Sequence, residues 1–124
     1  WFAVQAAQDR DDILDVVKGL MAHKAFDNTN PNKIRSVMRS FIGNHVHFHK
    51  TDGSGYAFLA DEILRINSFN PEMASGLMAP FSKANALDDV RKPLVKAQVE
   101  RINNHKDLSK DVAEKCEKVL KMLA

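Results

Sequence analysis

The chain has 124 residues, with 18 Lys plus Arg against 16 Asp plus Glu and a formal net charge of +2. That is the usual length of one domain, enough to bury a core, and no apolar run approaches the roughly 18 residues that a membrane span needs. The charges alternate in sign, as in "DDVRKPLVKAQVERINNHKD", which describes a solvated helix face and argues against a phosphate-tracking stripe of a nucleic-acid binder.

The first residues, "WFAVQAA", carry no leader pattern and read as the tail of an earlier helix in a longer polypeptide. Ile13, Val16, Val17, Leu20 and Met21 then fall at i, i+3, i+4, i+7 and i+8, the spacing of one buried helix face. Ile34, Val37, Met38, Phe41 and Ile42 repeat it after "NPNKIRS". There, Asn30 is suited to accept from free amides as an N-cap, and Pro31 occupies the first helical position, where no donor is missed.

"HVHFHKTDGSGY", His45 to Tyr56, crowds three histidines into five residues. Imidazoles suit zinc or copper, but alternation by two fits a strand and no partner strand is expected. No cysteine pair or helical His-x-x-x-His motif is expected beside them to complete a four-ligand site. The stretch reads as a loop with individually placed histidines and no metal site. Asp52 and Gly53 suit a turn in which glycine takes positive φ, and Ser54 suits a cap for the next helix. "TDGSGY" lacks both the lysine and the preceding strand of a phosphate-cradling loop.

Leu59, Ile63 and Ile66 mark the following helix, and "NPEMASG" starts another, carrying Met73, Ala74, Leu77, Met78 and Phe81 on one face. Asp88 is placed to cap a helix with Val95, Val99 and Ile102, in which Pro93 would remove one hydrogen bond and bend the axis. Ser109 caps the last, with Val112, Cys116, Val119, Leu120 and Leu123 inward and acid-before-base pairs Asp111/Lys115, Glu114/Lys118 and Glu117/Lys121 outward. Helices are thus expected to begin near residues 10, 31, 54, 71, 89 and 110.

No segment reads as a strand. The fold class is all-α: stacked antiparallel helix pairs at about the 40-residue period of an armadillo/HEAT-like α-α superhelix, present in part, with a closed bundle as the alternative. Residues 1–124 are read as a single helical domain. Cys116 and the methionines Met21, Met38, Met73 and Met78 follow core spacing, with no cofactor box. The lone cysteine cannot form an internal disulfide, which suits a reducing, cytoplasmic location.

Two long blocks, "HKAFDNTNPNKIRSVMRSF" and "FHKTDGSGYAFLADEILRINSFNPEMAS", resemble the C-terminal domain of the bacterial aminopeptidase N family of gluzincin zinc peptidases, and the likeness spans essentially the whole chain. It implies a C-terminal fragment of a multidomain enzyme that removes single residues from peptide N-termini. Zinc would belong to the parent enzyme, and the partners of this piece would be the catalytic and other parent domains together with peptide substrates. The family's zinc-binding His-Glu-x-x-His motif is missing from this sequence, so no catalytic residue is expected here. The implied role is steric: a helical lid over the active-site chamber that limits substrate access.

His45, Val46 and His47 depart from the proline and small residues more usual in that family, while His49 fits the pattern. Gly76 stands where relatives carry a larger side chain, which suggests close packing or a different cavity lining. Arg35, with Asn32 as companion, is the candidate for lining a substrate cavity, because a guanidinium pairs with a peptide carboxylate through two hydrogen bonds. The plainer expectation is an ion pair from Arg35 to a neighbouring helix. An independent armadillo-like protein-interaction module is the competing function, for which "WFAVQAA" would be a poor terminal cap because it exposes Trp1, Phe2 and Val4.

Overall fold

A computed structural model describes Gln8, residues 12–22 and residues 30–124; the expected helix tail over residues 1–7 lies outside the described residues. The described elements are α1 (Ile13–Met21), α2 (Pro31–Gly43), α3 (His45–Phe48), α4 (Ser54–Asn67), α5 (Pro71–Gly76), α6 (Ala79–Ser82), a 3-10 turn (Ala84–Ala86), α7 (Arg91–Asn103) and α8 (Lys110–Leu123). No strand occurs among them. The all-α expectation holds. Two compact units divide the chain, Trp1–Lys50 and Thr51–Ala124.

In the first unit, Asn30 Oδ1 accepts from the amides of Asn32 and Lys33 at 3.0 and 3.3 Å, with Pro31 opening α2 as the sequence predicts. Two of the four donors that a helix start leaves free are thereby satisfied. Ile34, Val37, Met38 and Phe41 are buried on α2, and Ile13, Val17, Leu20 and Met21 on α1. Val16, expected inward, is only half-buried.

The histidine stretch departs from the expected loop. After Asn44, residues His45–Phe48 form one helical turn, closed by the His49 amide donating to the His45 carbonyl at 2.9 Å. Phe48 explains the turn: it is buried and meets the Phe41 ring edge-on at 6.0 Å, so its side chain pins the segment onto α2. Asn44 adds a longer tie, its Nδ2 donating to the Gln8 carbonyl at 2.9 Å.

The second unit begins at Gly53, whose φ of 77° places it in the left-handed region that glycine adopts freely. Ser54 does not act as the cap. It is the first helical residue, and Asp52 Oδ1 accepts from both its amide (2.9 Å) and its hydroxyl (2.6 Å). Tyr56, Leu59, Ala60, Ile63 and Ile66 of α4 are fully buried. Each large side chain among them contributes roughly 1.5–3 kcal/mol over exposure. α4 packs against α5 and α7, and α8 against α5 and α7.

The helix expected from residue 71 is interrupted. It ends at Gly76 and resumes as the short α6 after a turn. Pro80 accounts for the break, since it has no N–H to donate back to the Gly76 carbonyl, and glycine is a weak helix former just there. Met73, Ala74, Met78 and Phe81 are nevertheless all buried, and Leu77 half-buried. Gly76 itself is exposed, and an added Cβ would meet nothing within 4 Å, so close packing is not its reason.

Asp88 caps α7 as expected: its Oδ1 accepts from the Arg91 amide at 2.8 Å, and its other oxygen pairs with the Arg91 guanidinium. Pro93 falls within the first turn of α7, and the helix runs on unbroken to Asn103. Ser109 Oγ accepts from Val112 N at 3.3 Å. None of the three acid-before-base pairs of α8 closes among the described ion pairs. Lys115 instead donates to the Ser75 carbonyl at 2.9 Å, near the C-terminal end of α5. An exposed pair gains little in water, whereas a helix-end carbonyl is an acceptor in want of a donor.

Candidate functional site

The residues predicted to touch substrate lie on the outer face of α2. Asn32 and Arg35, three positions apart, are both exposed, while Ile34, Val37, Met38 and Phe41 hold the opposite face in the core. The ion pair expected from Arg35 to a neighbouring helix finds no acid among the described residues. No hydrogen bond or ion pair to it occurs among the described residues. A five-donor guanidinium so held suits a carboxylate or another planar anion. It has no means of breaking a bond.

The three histidines do not converge. On a helical turn His45 and His49 fall on one side, and His47, two positions from each, is buried on the other. His45 and His49 stack with ring centroids 5.9 Å apart and planes 13° from parallel. Among the described residues no group of three or more His, Cys, Asp or Glu side chains gathers as a metal site. The sequence reading missed the pairing because it took the period as two. The buried Phe48 three residues after His45, and the i, i+4 interval itself, were the signals.

Cys116 is fully buried, and burial, with Glu117 nearby, pushes its thiol up to about 11. It is therefore protonated at neutral pH and no nucleophile. Burial also pushes the Tyr56 phenol up, opposed by Arg91 and reinforced by Asp88. Two shallow clefts open on the second unit. One of about 300 Å³ is lined by Asp89, Lys92, Pro93, Lys96 and Leu123, the other of about 220 Å³ by Glu114, Glu117, Lys118 and Lys121. Both mix charges of either sign, and neither brings a nucleophile to a base. No described helix is long and apolar enough to cross a membrane.

Described elements that are all helical, with apolar faces buried and no strand among them, are of the armadillo-type class of α-helical domains. Residues 1–121 match the family described as "Domain of unknown function (DUF3458_C) ARM repeats". The chain belongs to that family, which forms the C-terminal ARM-repeat domain of aminopeptidase N. It is 40% identical over 121 residues to aminopeptidase N of Haemophilus influenzae, 42% to that of Caulobacter vibrioides and 39% to that of Escherichia coli. In each case the match covers 97% of this chain but 14% of the relative. A crystal structure of Legionella pneumophila aminopeptidase A in complex with aspartic acid superposes with a TM-score of 0.90 at 34% identity, over 98% of this chain and 14% of that one.

Proposed function

We propose that residues 1–124 act as one non-catalytic domain of a larger, cytoplasmic zinc aminopeptidase that removes N-terminal residues from peptides. The domain covers the chamber of the catalytic domain and limits which peptides reach the zinc. The observation that carries this reading is the match itself: nearly the whole chain aligns with a seventh of an aminopeptidase. What remains for such a segment is shape and charge. The zinc, bound elsewhere in the parent chain, would supply the Lewis acid and the activated water.

Within that role Arg35 and Asn32 line the chamber, where Arg35 pairs with a carboxylate of the bound peptide. Its exposure and its lack of a described partner support this. In the full-length enzyme, Arg35→Ala should raise KM for a peptide with a free C-terminal carboxylate by about tenfold, an order expected for one charge-assisted pair. Turnover of an aminoacyl-4-nitroanilide, which has no such carboxylate, should stay unchanged. An equal effect on both substrates would remove Arg35 from the substrate path. The 124-residue chain alone should show no turnover; zinc-dependent hydrolysis by it would overturn the non-catalytic assignment.

A further inference from the structure

The outer face of α2 carries more charge than the fold has use for. Its residues, Pro31–Gly43, include Lys33, Arg35 and Arg39 and no aspartate or glutamate. We propose that Arg35 and Arg39 act together as a two-guanidinium rail for an extended peptide with carboxylates on alternate side chains, so that acidic peptides are the substrates favoured. The proposal rests on the reading that this face meets the bound peptide, and it adds the second cation, the spacing and the substrate class.

Position comes first. At about 100° per helical residue, Asn32, Arg35, Ser36 and Arg39 share one stripe, opposite the buried Ile34, Val37, Met38 and Phe41. All four are exposed, and neither arginine has a hydrogen bond or ion pair among the described residues. The arrangement also works against the helix itself. Like charges at i and i+4 repel, and cations in the first turns oppose the helix dipole. No basic residue stands in the last turn of α2, where it would help. Such a conflict between local preference and fold is what proteins keep at functional surfaces.

Spacing then selects the occupant. Four residues of helix rise about 6 Å, and two residues of extended chain span about 6.5 Å. Alternate side chains of an extended peptide, which point to the same face, therefore reach Arg35 and Arg39 in step. Each guanidinium can take a carboxylate through two parallel hydrogen bonds. A nucleic-acid strand would call for a longer basic track with aromatic stacking, and the aromatic residue of α2, Phe41, is buried.

The test uses the full-length enzyme that contains this chain and peptides ending in an amide, which sets aside the terminal carboxylate already proposed for Arg35. Heptapeptides sharing one N-terminal residue carry Glu-Ala-Glu, Gln-Ala-Gln or Glu-Glu-Ala, with the block starting at the third, fourth or fifth position. At one of these registers Glu-Ala-Glu should have a KM about tenfold below that of Gln-Ala-Gln, the gain of two exposed pairs. Glu-Glu-Ala should recover only the part that one pair gives, and the advantage should shrink as salt is raised. Arg39→Gln should cut it to about threefold, and the Arg35→Gln, Arg39→Gln double variant should abolish it. Lys33→Gln removes an equal, exposed charge about 120° round the helix from Arg39 and should leave the advantage whole. Far-UV circular dichroism checks that the variants are folded.

Equal KM values for Glu-Ala-Glu and Gln-Ala-Gln at every register would overturn the proposal. So would equal values for Glu-Ala-Glu and Glu-Glu-Ala, an advantage that survives Arg39→Gln, or one lost with Lys33→Gln. Stronger competition by a short oligonucleotide than by an N-acetylated Glu-Ala-Glu peptide would overturn it too. If these amides fail while Arg35→Ala still weakens peptides with a free carboxylate, the pair falls and the single contact stands. Failure in both sets removes α2 from the substrate path.

Discussion

Polar side chains serve two different ends in the second unit and on the outer face of α2. Between residues 51 and 124 they stitch one helix to another. Arg101 of α7 donates to Asp61 and to the Ala57 carbonyl of α4 at 2.8 and 3.2 Å. Asn67, at the end of α4, donates to the Asp107 carbonyl and accepts from the Ser109 amide, both at 3.0 Å. Lys115 reaches from α8 to α5. In the first unit the outer face of α2 carries Asn32 and Arg35 away from the core with no such tie to Arg35 among the described residues. The difference teaches where to look for function. Polar groups spent on internal carbonyls and amides hold the fold, and the ones left facing outward are available to something else.

That contrast breaks first at Asn67. It is nearly fully buried, and Asn67→Ala leaves an amide and a carbonyl of the α7–α8 connection without their protein partner. The expected loss is about 1–3 kcal/mol in urea unfolding. A loss within 0.5 kcal/mol would mean that the connection satisfies itself and that the stitching is decorative. Next comes Gly53→Ala. The added Cβ would lie 3.6 Å from Leu94, an ordinary contact, so the cost is conformational: about 1–2 kcal/mol for holding alanine at positive φ.

A smaller effect tracks pH. The hydrogen bond from the Arg91 amide, set against some desolvation and helped by the Arg91 guanidinium, holds the Asp88 carboxyl below its usual value. A depressed carboxyl contributes stability that is present above its unfolded value and is lost as pH falls through the folded one. Acid titration should therefore loosen the start of α7 only below about pH 4. Asp88→Asn, which keeps a side-chain acceptor for the Arg91 amide, should flatten that limb of the stability profile. Least of all, Arg35→Ala should change unfolding free energy by no more than about 0.5 kcal/mol, as for an exposed residue with no packing role. A larger loss would put Arg35 among the stitching residues and sharpen the comparison against its proposed contact with substrate.

Much of this was legible in the residues because helix starts are decided locally. Asn30–Pro31 and Asn70–Pro71 set their caps within a few positions, and both caps form as read, the second through Asn70 Oδ1 accepting from the Met73 amide at 3.1 Å. What was not legible depended on competition over distance. The acid-before-base pairs of α8 look sufficient until the Ser75 carbonyl, 40 positions away in sequence, offers Lys115 a better partner. Asn67 shows nothing in its own neighbourhood of the sequence that marks it as a clasp for residues 107 and 109. The break after Gly76 was written in Pro80 and was overridden by an apolar pattern that stays buried across the interruption. The histidine turn was misread for the opposite reason: a short period-two signal was weighed without the tertiary anchor, Phe48 against Phe41, that decides its conformation.

The burial of Cys116 has a practical corollary. The sequence holds no other cysteine, and this one sits inside α8 with its sulfur protonated. Alkylating reagents should pass the folded domain by and mark it only when α8 lifts from its neighbours, which turns a silent core atom into a built-in clock for that opening. A cysteine introduced at any exposed position would then carry a probe free of background from the rest of this chain.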